Sequence, residues 1–123
     1  MWLLDTNILI KSYKLNPKPF KRNLTITTIL SILEFPLAAN FENLSVIYPV
    51  QENYSQSLIY ALLLRKNGTP IPVIDILIGA IAVKRDLILV TEDSHFEALQ
   101  AVEPRLKVSN LEIFLENFKN FEQ

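Results

Sequence analysis

The chain has no cysteine, two glycines and one histidine among its 123 residues. Each scarcity removes a class of function. Without cysteine there is no disulfide, no thiolate nucleophile and no thiolate metal site, and the composition suits a reducing, cytoplasmic setting. Gly68 and Gly79 cannot form a glycine-rich loop to cradle phosphates, which weighs against nucleoside-triphosphate and dinucleotide enzymes. His95, the single histidine, leaves a Ser-His-Asp site little to work with, so a structural role is expected for it. The longest apolar segment, Ile71 to Val83, is interrupted by Asp75 and falls short of the about 20 residues a bilayer span needs. No signal peptide is expected, because Asp5 interrupts the N-terminus and Lys11 and Lys14 follow the apolar stretch. A net charge of −1 excludes a molecule that is cationic as a whole.

What is present is hydrophobic patterning. Half of the residues are hydrophobic, and the length suits one domain over residues 1–123 that buries roughly two-thirds of its unfolded surface. Trp2-Leu3-Leu4 opens a buried strand, and Asp5 or Thr6 can cap a helix over Asn7 to Lys14. Asn16-Pro17-Lys18-Pro19 stops that helix. Leu24 to Leu30, rich in Ile and Thr, reads as a second strand, and Ser31 to Glu34 fits a capping box opening the next helix. Pro36 makes that helix short or kinked. Ser45 to Val50 is the third strand. An amphipathic helix follows over Glu52 to Lys66, striped by Leu58, Leu62, Ile59 and Leu63 and stopped by Asn67-Gly68. A helix over Val73 to Lys84 leads to a fourth strand, Leu87 to Thr91, whose unbroken apolar character implies burial on both faces. A helix over Ser94 to Ala101, a short strand at Leu106-Lys107-Val108 and a helix over Leu111 to Phe118 complete the chain. Alternating strands and helices predict a three-layer α/β/α sandwich around a parallel sheet of four to five strands.

Four acids stand out on this frame. Asp5, Glu34 and Asp93 follow apolar runs, near the carboxyl ends where open α/β sheets place ligands, and Asp75 opens a helix that can reach the same crevice. Oxygen ligands without His or Cys call for a hard cation such as Mg²⁺ or Mn²⁺. Every one of the four also has a plain alternative. Asp5 and Asp93 can be helix caps, Glu34 the partner of Ser31 in a capping box, and Asp75 a favourable charge in a first helical turn. Asp75 resists its alternative best, because a charge within Ile74 to Ile81 is costly unless paired or metal-bound. Thr6, Asn7, Thr91 and Ser94 flank the acids and could orient them, or serve only as caps and turns. Gly79 and Ala82 leave room for another backbone on the Asp75 helix. Five basic residues and no acid lie from Lys11 to Arg22 (Lys11, Lys14, Lys18, Lys21, Arg22), either a solvated loop or an edge that contacts phosphates. Phe114, Phe118 and Phe121 recur at helical spacing, as core or as an oligomer contact.

Taken in series, the motifs resemble a known family. Leu3-Leu4-Asp5-Thr6-Asn7-Ile8-Leu9-Ile10 resembles the opening of a PIN domain, and Ser31 to Glu34 its second acidic motif. Gly68 to Ala82, around Asp75, and Leu89 to Phe96, around Asp93, resemble the third and fourth. The compact size is similar to VapC-type toxins of prokaryotic toxin–antitoxin pairs. That resemblance implies a metal-dependent ribonuclease in which Asp5, Glu34, Asp75 and Asp93 hold Mg²⁺ or Mn²⁺ and hydrolyse RNA phosphodiester bonds. It also implies a homodimer and an antitoxin partner. A stand-alone RNA-processing nuclease and an inactive PIN-like interaction module are the alternatives. A phosphotransfer receiver fits less well, since Thr6-Asn7 replaces the expected acid pair and no lysine ends the fourth strand.

Overall fold

A computed structural model describes residues 1–15 and 25–122, with side chains as far as residue 117. Five strands, β1 (Trp2–Leu4), β2 (Thr25–Thr28), β3 (Leu44–Ile47), β4 (Ile88–Val90) and β5 (Lys107–Ser109), form one sheet in the order β3-β2-β1-β4-β5. All four pairings are parallel, with Leu3 opposite Ile26 on one side and Leu89 on the other. Six helices accompany it among the described residues: α1 (Thr6–Leu15), α2 (Ile29–Glu34), α3 (Gln51–Lys66), α4 (Val73–Lys84), α5 (His95–Val102) and α6 (Leu111–Glu122). The expected three-layer sandwich is therefore present, with the full complement of five strands.

Side chains alternate across a strand, so each strand feeds two cores. Leu3, Ile26 and Leu89 join Tyr60, Leu64 and the apolar length of α4 on one face, with Phe96 and Leu99 of α5. Leu4 and Val90 join Ile8, Leu9, Phe41, Leu111 and Phe114 on the other. Chain order runs outward from β1 through β2 to β3, then returns to β4 on the far side of β1. The crevice at such a reversal is where open parallel sheets bind ligands.

Local chemistry moves several expected boundaries. Thr28, in extended conformation, ends β2 and caps α2, its hydroxyl accepting from the Ser31 amide at 3.2 Å. The second strand is thus shorter than expected, with Leu24 outside the described residues. Ser31 is not a cap, and Glu34 is the last residue of α2 rather than a capping-box partner. A 3₁₀ turn, Pro36–Asn40, follows at once, as proline so close to Glu34 requires. At the end of α3, Gly68 adopts a φ of +74°, and the Gly68 and Thr69 amides return to the Arg65 and Leu64 carbonyls. This is a glycine-dependent helix stop, as Asn67-Gly68 implies.

The face of α3 runs against expectation. Leu58, Ile59, Leu62 and Leu63 are exposed, Leu58 by 63%, while Asn53, Tyr60 and Leu64 are buried. Asn53 turns inward because its side-chain oxygen accepts from the Val50 amide at 2.7 Å. On α6, Phe114 is fully buried and meets Trp2 edge-on at 5.7 Å, so it belongs to the core. The side chains of Phe118 and Phe121 lie outside the described residues, as do Lys18, Lys21 and Arg22. No described helix is long and apolar enough to cross a membrane.

Candidate functional site

Asp5 is the first residue past β1, and its amide donates to the Val90 carbonyl of β4 at 3.0 Å. The carboxylate therefore stands at the reversal point of the sheet. It is only 4% exposed. Its Oδ2 accepts from the Thr91 hydroxyl at 2.7 Å and its Oδ1 from the Thr6 amide at 2.8 Å. A helix cap would serve the second or third amide of α1, so the plain capping role for this side chain is not what the geometry shows.

Thr91 ties the two central strands to the loop that follows. Its hydroxyl donates to Asp5 and accepts from the Asp93 amide at 3.0 Å. Asn7 braces the same loop, its side-chain oxygen accepting from the Glu92 amide at 3.2 Å. Asp93 Oδ1 accepts from the His95 amide at 2.9 Å, a turn that starts α5 and satisfies part of the capping alternative. Ser94 stands at the cap position of α5 without a side-chain capping bond.

Helix packing brings the third acid in. A Cβ at Gly79 would overlap Leu99 Cδ2, so the glycine makes room for the Leu99 side chain where α5 meets α4. The close approach is a side chain, not the backbone the sequence suggested. Asp75 lies one turn before Gly79, and His95 one turn before Leu99, so the contact that seats one pair aligns the other. His95 Nδ1 accordingly lies 2.9 Å from Asp75 Oδ2 and 3.1 Å from Asp93 Oδ1. One donor atom from each of Asp75, Asp93 and His95 falls within 4.8 Å of the others.

Glu34 stands apart from this group. Its link to the others among the described residues is the Thr6 hydroxyl, which donates to its Oε1 at 3.3 Å. The fold thus draws Asp5, Asp75 and Asp93 together and holds Glu34 at their margin.

The electrostatics follow from this geometry. Burial pushes the Asp5 carboxyl above its ordinary value; hydrogen bonds from Thr91 and Thr6 oppose the shift, and the charge of Asp93 adds to it. Asp75 is raised as well, first by burial and then by Asp5 and Asp93, with the His95 bond opposing. His95 is raised, chiefly by its bond to Asp75. No lysine or arginine pairs with these acids among the described residues. Mutually repelling carboxylates, one of them buried, with no lysine or arginine partner among the described residues suit a hard divalent ion, whose charge would offset theirs.

His95 is the participant that sequence reasoning missed. The signal lay in spacing, since His95 precedes Leu99 by one helical turn just as Asp75 precedes Gly79. Nothing in the sequence says that those two helices touch.

No protein-family model matches the sequence, and comparison with curated proteins gives no match. Solved structures do match. A chain of DNA-bound VapBC from Salmonella typhimurium is similar at a TM-score of 0.72 and 18% identity, over 89% of this chain and 96% of that one. VapBC-1 from nontypeable Haemophilus influenzae gives 0.69 and 20%, over 89% and 96%. VapBC-5 from Mycobacterium tuberculosis gives 0.63 and 15%, over 88% and 94%. The fold is the PIN-like α/β/α sandwich found in VapBC complexes, as the sequence motifs imply.

Proposed function

We propose that this chain is a single-domain, cytoplasmic, metal-dependent endoribonuclease and the toxin of a prokaryotic toxin–antitoxin pair. The observation that carries the reading is the group of Asp5, Asp75 and Asp93 at the reversal point of a PIN-like sheet, Asp5 buried and the other two partly so, with no lysine or arginine paired to them among the described residues. Asp5, Glu34, Asp75 and Asp93 are the acids assigned to metal and catalysis, with Thr6, Asn7, Thr91 and Ser94 in support. The fold neighbour VapBC-5 belongs to a toxin–antitoxin family, which favours a toxin over a stand-alone nuclease.

Bound Mg²⁺ or Mn²⁺ would lower the pKa of a coordinated water and offset charge on the scissile phosphate. The chain's own part is to hold the acids in place. Thr91 and the Thr6 amide fix both oxygens of Asp5, the turn at Asp93 fixes its carboxylate, and α4 presents Asp75 from its first turn. Glu34, at the margin of the group and held by the Thr6 hydroxyl, would complete the acidic set that the resemblance assigns to the metal.

Partners follow from the surface. The apolar side chains exposed on α3 suit a homodimer, a role the sequence suggested for α6 and from which burial removes Phe114. An antitoxin segment that offers a basic side chain to the acids would neutralise them much as metal does, so the two should compete.

The test is RNA cleavage by metal-stripped protein, followed with Mn²⁺, with Mg²⁺ and with EDTA. Cleavage that appears on adding metal and stops on chelation is expected. An absence of metal-dependent cleavage with a folded protein would return the chain to the inactive-module alternative.

A further inference from the structure

We propose that His95 is itself a ligand of the metal centre, making it a mixed oxygen and nitrogen site that prefers a transition-metal dication such as Mn²⁺ to Mg²⁺. This rests on the metal-centre reading above and goes further, to the ion that the site selects. Among the described residues the converging donors include one outside the four acids: one atom each of Asp75, Asp93 and His95 lies within 4.8 Å of the others.

The separations fit a shared ion. Neighbouring ligands on a six-coordinate ion with bonds of about 2.1 Å lie about 3.0 Å apart. The His95 nitrogen stands 2.9 Å from Asp75 Oδ2 and 3.1 Å from Asp93 Oδ1. A hydrogen bond to one carboxylate would satisfy an imidazole, but the same nitrogen faces two. Its place is also built rather than incidental. The Asp93 carboxylate fixes the start of α5 through the His95 amide, and Leu99 packs over Gly79 one turn along from the His95 and Asp75 pair.

Ligand chemistry gives the consequence. Mg²⁺ is served by carboxylate and water oxygens and gains little from imidazole, whereas first-row transition dications bind it well. A centre of carboxylates alone would not discriminate in this way. His95 thus sets selectivity while Asp75 and Asp93 supply charge.

The experiment follows melting temperature against MnCl₂ and against MgCl₂ for the metal-stripped protein, His95→Ala and His95→Asp. Electron spin-echo spectra of the Mn²⁺ complex accompany the titrations. The His95 side chain is 45% exposed, so its removal leaves the core intact. The Mn²⁺ midpoint of the wild type should lie about tenfold or more below that for Mg²⁺, with ¹⁴N modulation of the Mn²⁺ signal. In His95→Ala the Mn²⁺ midpoint should rise about tenfold while that for Mg²⁺ stays within about twofold, and the ¹⁴N modulation should vanish. His95→Asp, which keeps a third donor as oxygen, should bind Mg²⁺ and lose the Mn²⁺ preference.

Three outcomes overturn the proposal. Unchanged midpoints in His95→Ala leave a metal centre without an imidazole ligand. Tighter binding of both ions by His95→Ala makes the histidine a competing cation instead of a ligand. A wild type whose melting temperature responds to neither ion removes the metal centre itself, and His95 with it.

Discussion

Glu103 and Asp5 are both buried carboxylates, 7% and 4% exposed, yet they keep opposite company. Glu103 accepts from Arg105 Nη2 at 2.6 Å and Nε at 3.1 Å, from the Arg105 amide, and from the Tyr60 hydroxyl at 2.8 Å. The Arg105 guanidinium, helped by Tyr60, holds its carboxyl down at about 2. Burial and the adjacent carboxylate push the Tyr60 hydroxyl up to about 12. Asp5 receives two neutral hydrogen bonds and, among the described residues, no cation, so burial wins and its proton affinity rises. Acids that serve stability are paired until their charge is satisfied. Acids left buried and unpaired cost stability, and that cost persists where a ligand is to supply the missing charge.

The largest effect should come from Asp5→Asn, which keeps shape and removes charge. RNA cleavage should fall by orders of magnitude, while the metal-free protein melts higher because the cost of a buried carboxylate is gone. The sign is fixed by the direction of the shift. A raised carboxyl favours the protonated fold, so the ionised form at neutral pH is a liability that asparagine lacks. A lower melting temperature together with normal cleavage would place Asp5 in the same class as Glu103.

Glu103→Gln should behave in the opposite way. Loss of the charge-assisted bonds to Arg105 and Tyr60 should cost about 2 kcal/mol in denaturant unfolding, with cleavage per folded molecule unchanged. Cleavage that falls in proportion to stability would deny the division between the two groups of acids.

Acid titration sharpens the contrast with a smaller signal. The Glu103 carboxyl is lowered from 4.5 to about 2, so its contribution is complete above about 4.5 and disappears as the pH falls toward 2. The stability profile should slope down across that window in the wild type and be flatter in Glu103→Gln. Equal slopes in the two proteins would show that Glu103 is not the group responsible.

The smallest effect on the fold should come from Leu62→Asp on the exposed face of α3. Unfolding free energy should change by about 0.5 kcal/mol or less, while light scattering reports a shift from dimer to monomer. A variant that stays dimeric would move self-association away from α3.

Where charge and apolar residues alternate in blocks, the sequence was readable. Unbroken apolar runs declared buried parallel strands, and Asn67-Gly68 declared the end of α3, because each depends on neighbouring residues alone. The turn at Thr28 was harder. Thr28 and Ser31 are equally good caps on paper, and only the point at which β2 leaves the sheet decides between them. The α3 stripe failed for a related reason. Hydrophobicity picked Leu58 and Leu62, but Tyr60 and Leu64 are the residues that pack in the core, on the face that also buries Asn53, and this leaves those leucines exposed.

Local sequence by itself determined that this chain alternates strands and helices, that it lacks the residues for thiol or phosphate-loop chemistry, and that Asp5 and Asp93 follow strands. Tertiary structure decided which of those acids meet. Asp5 and Thr91 are 86 residues apart and come within 2.7 Å because β1 pairs with β4. His95 reaches Asp75 because a glycine on one helix admits a leucine from another. Such contacts depend on the packing of distant segments, and spacing along one chain does not encode which faces will be pressed together.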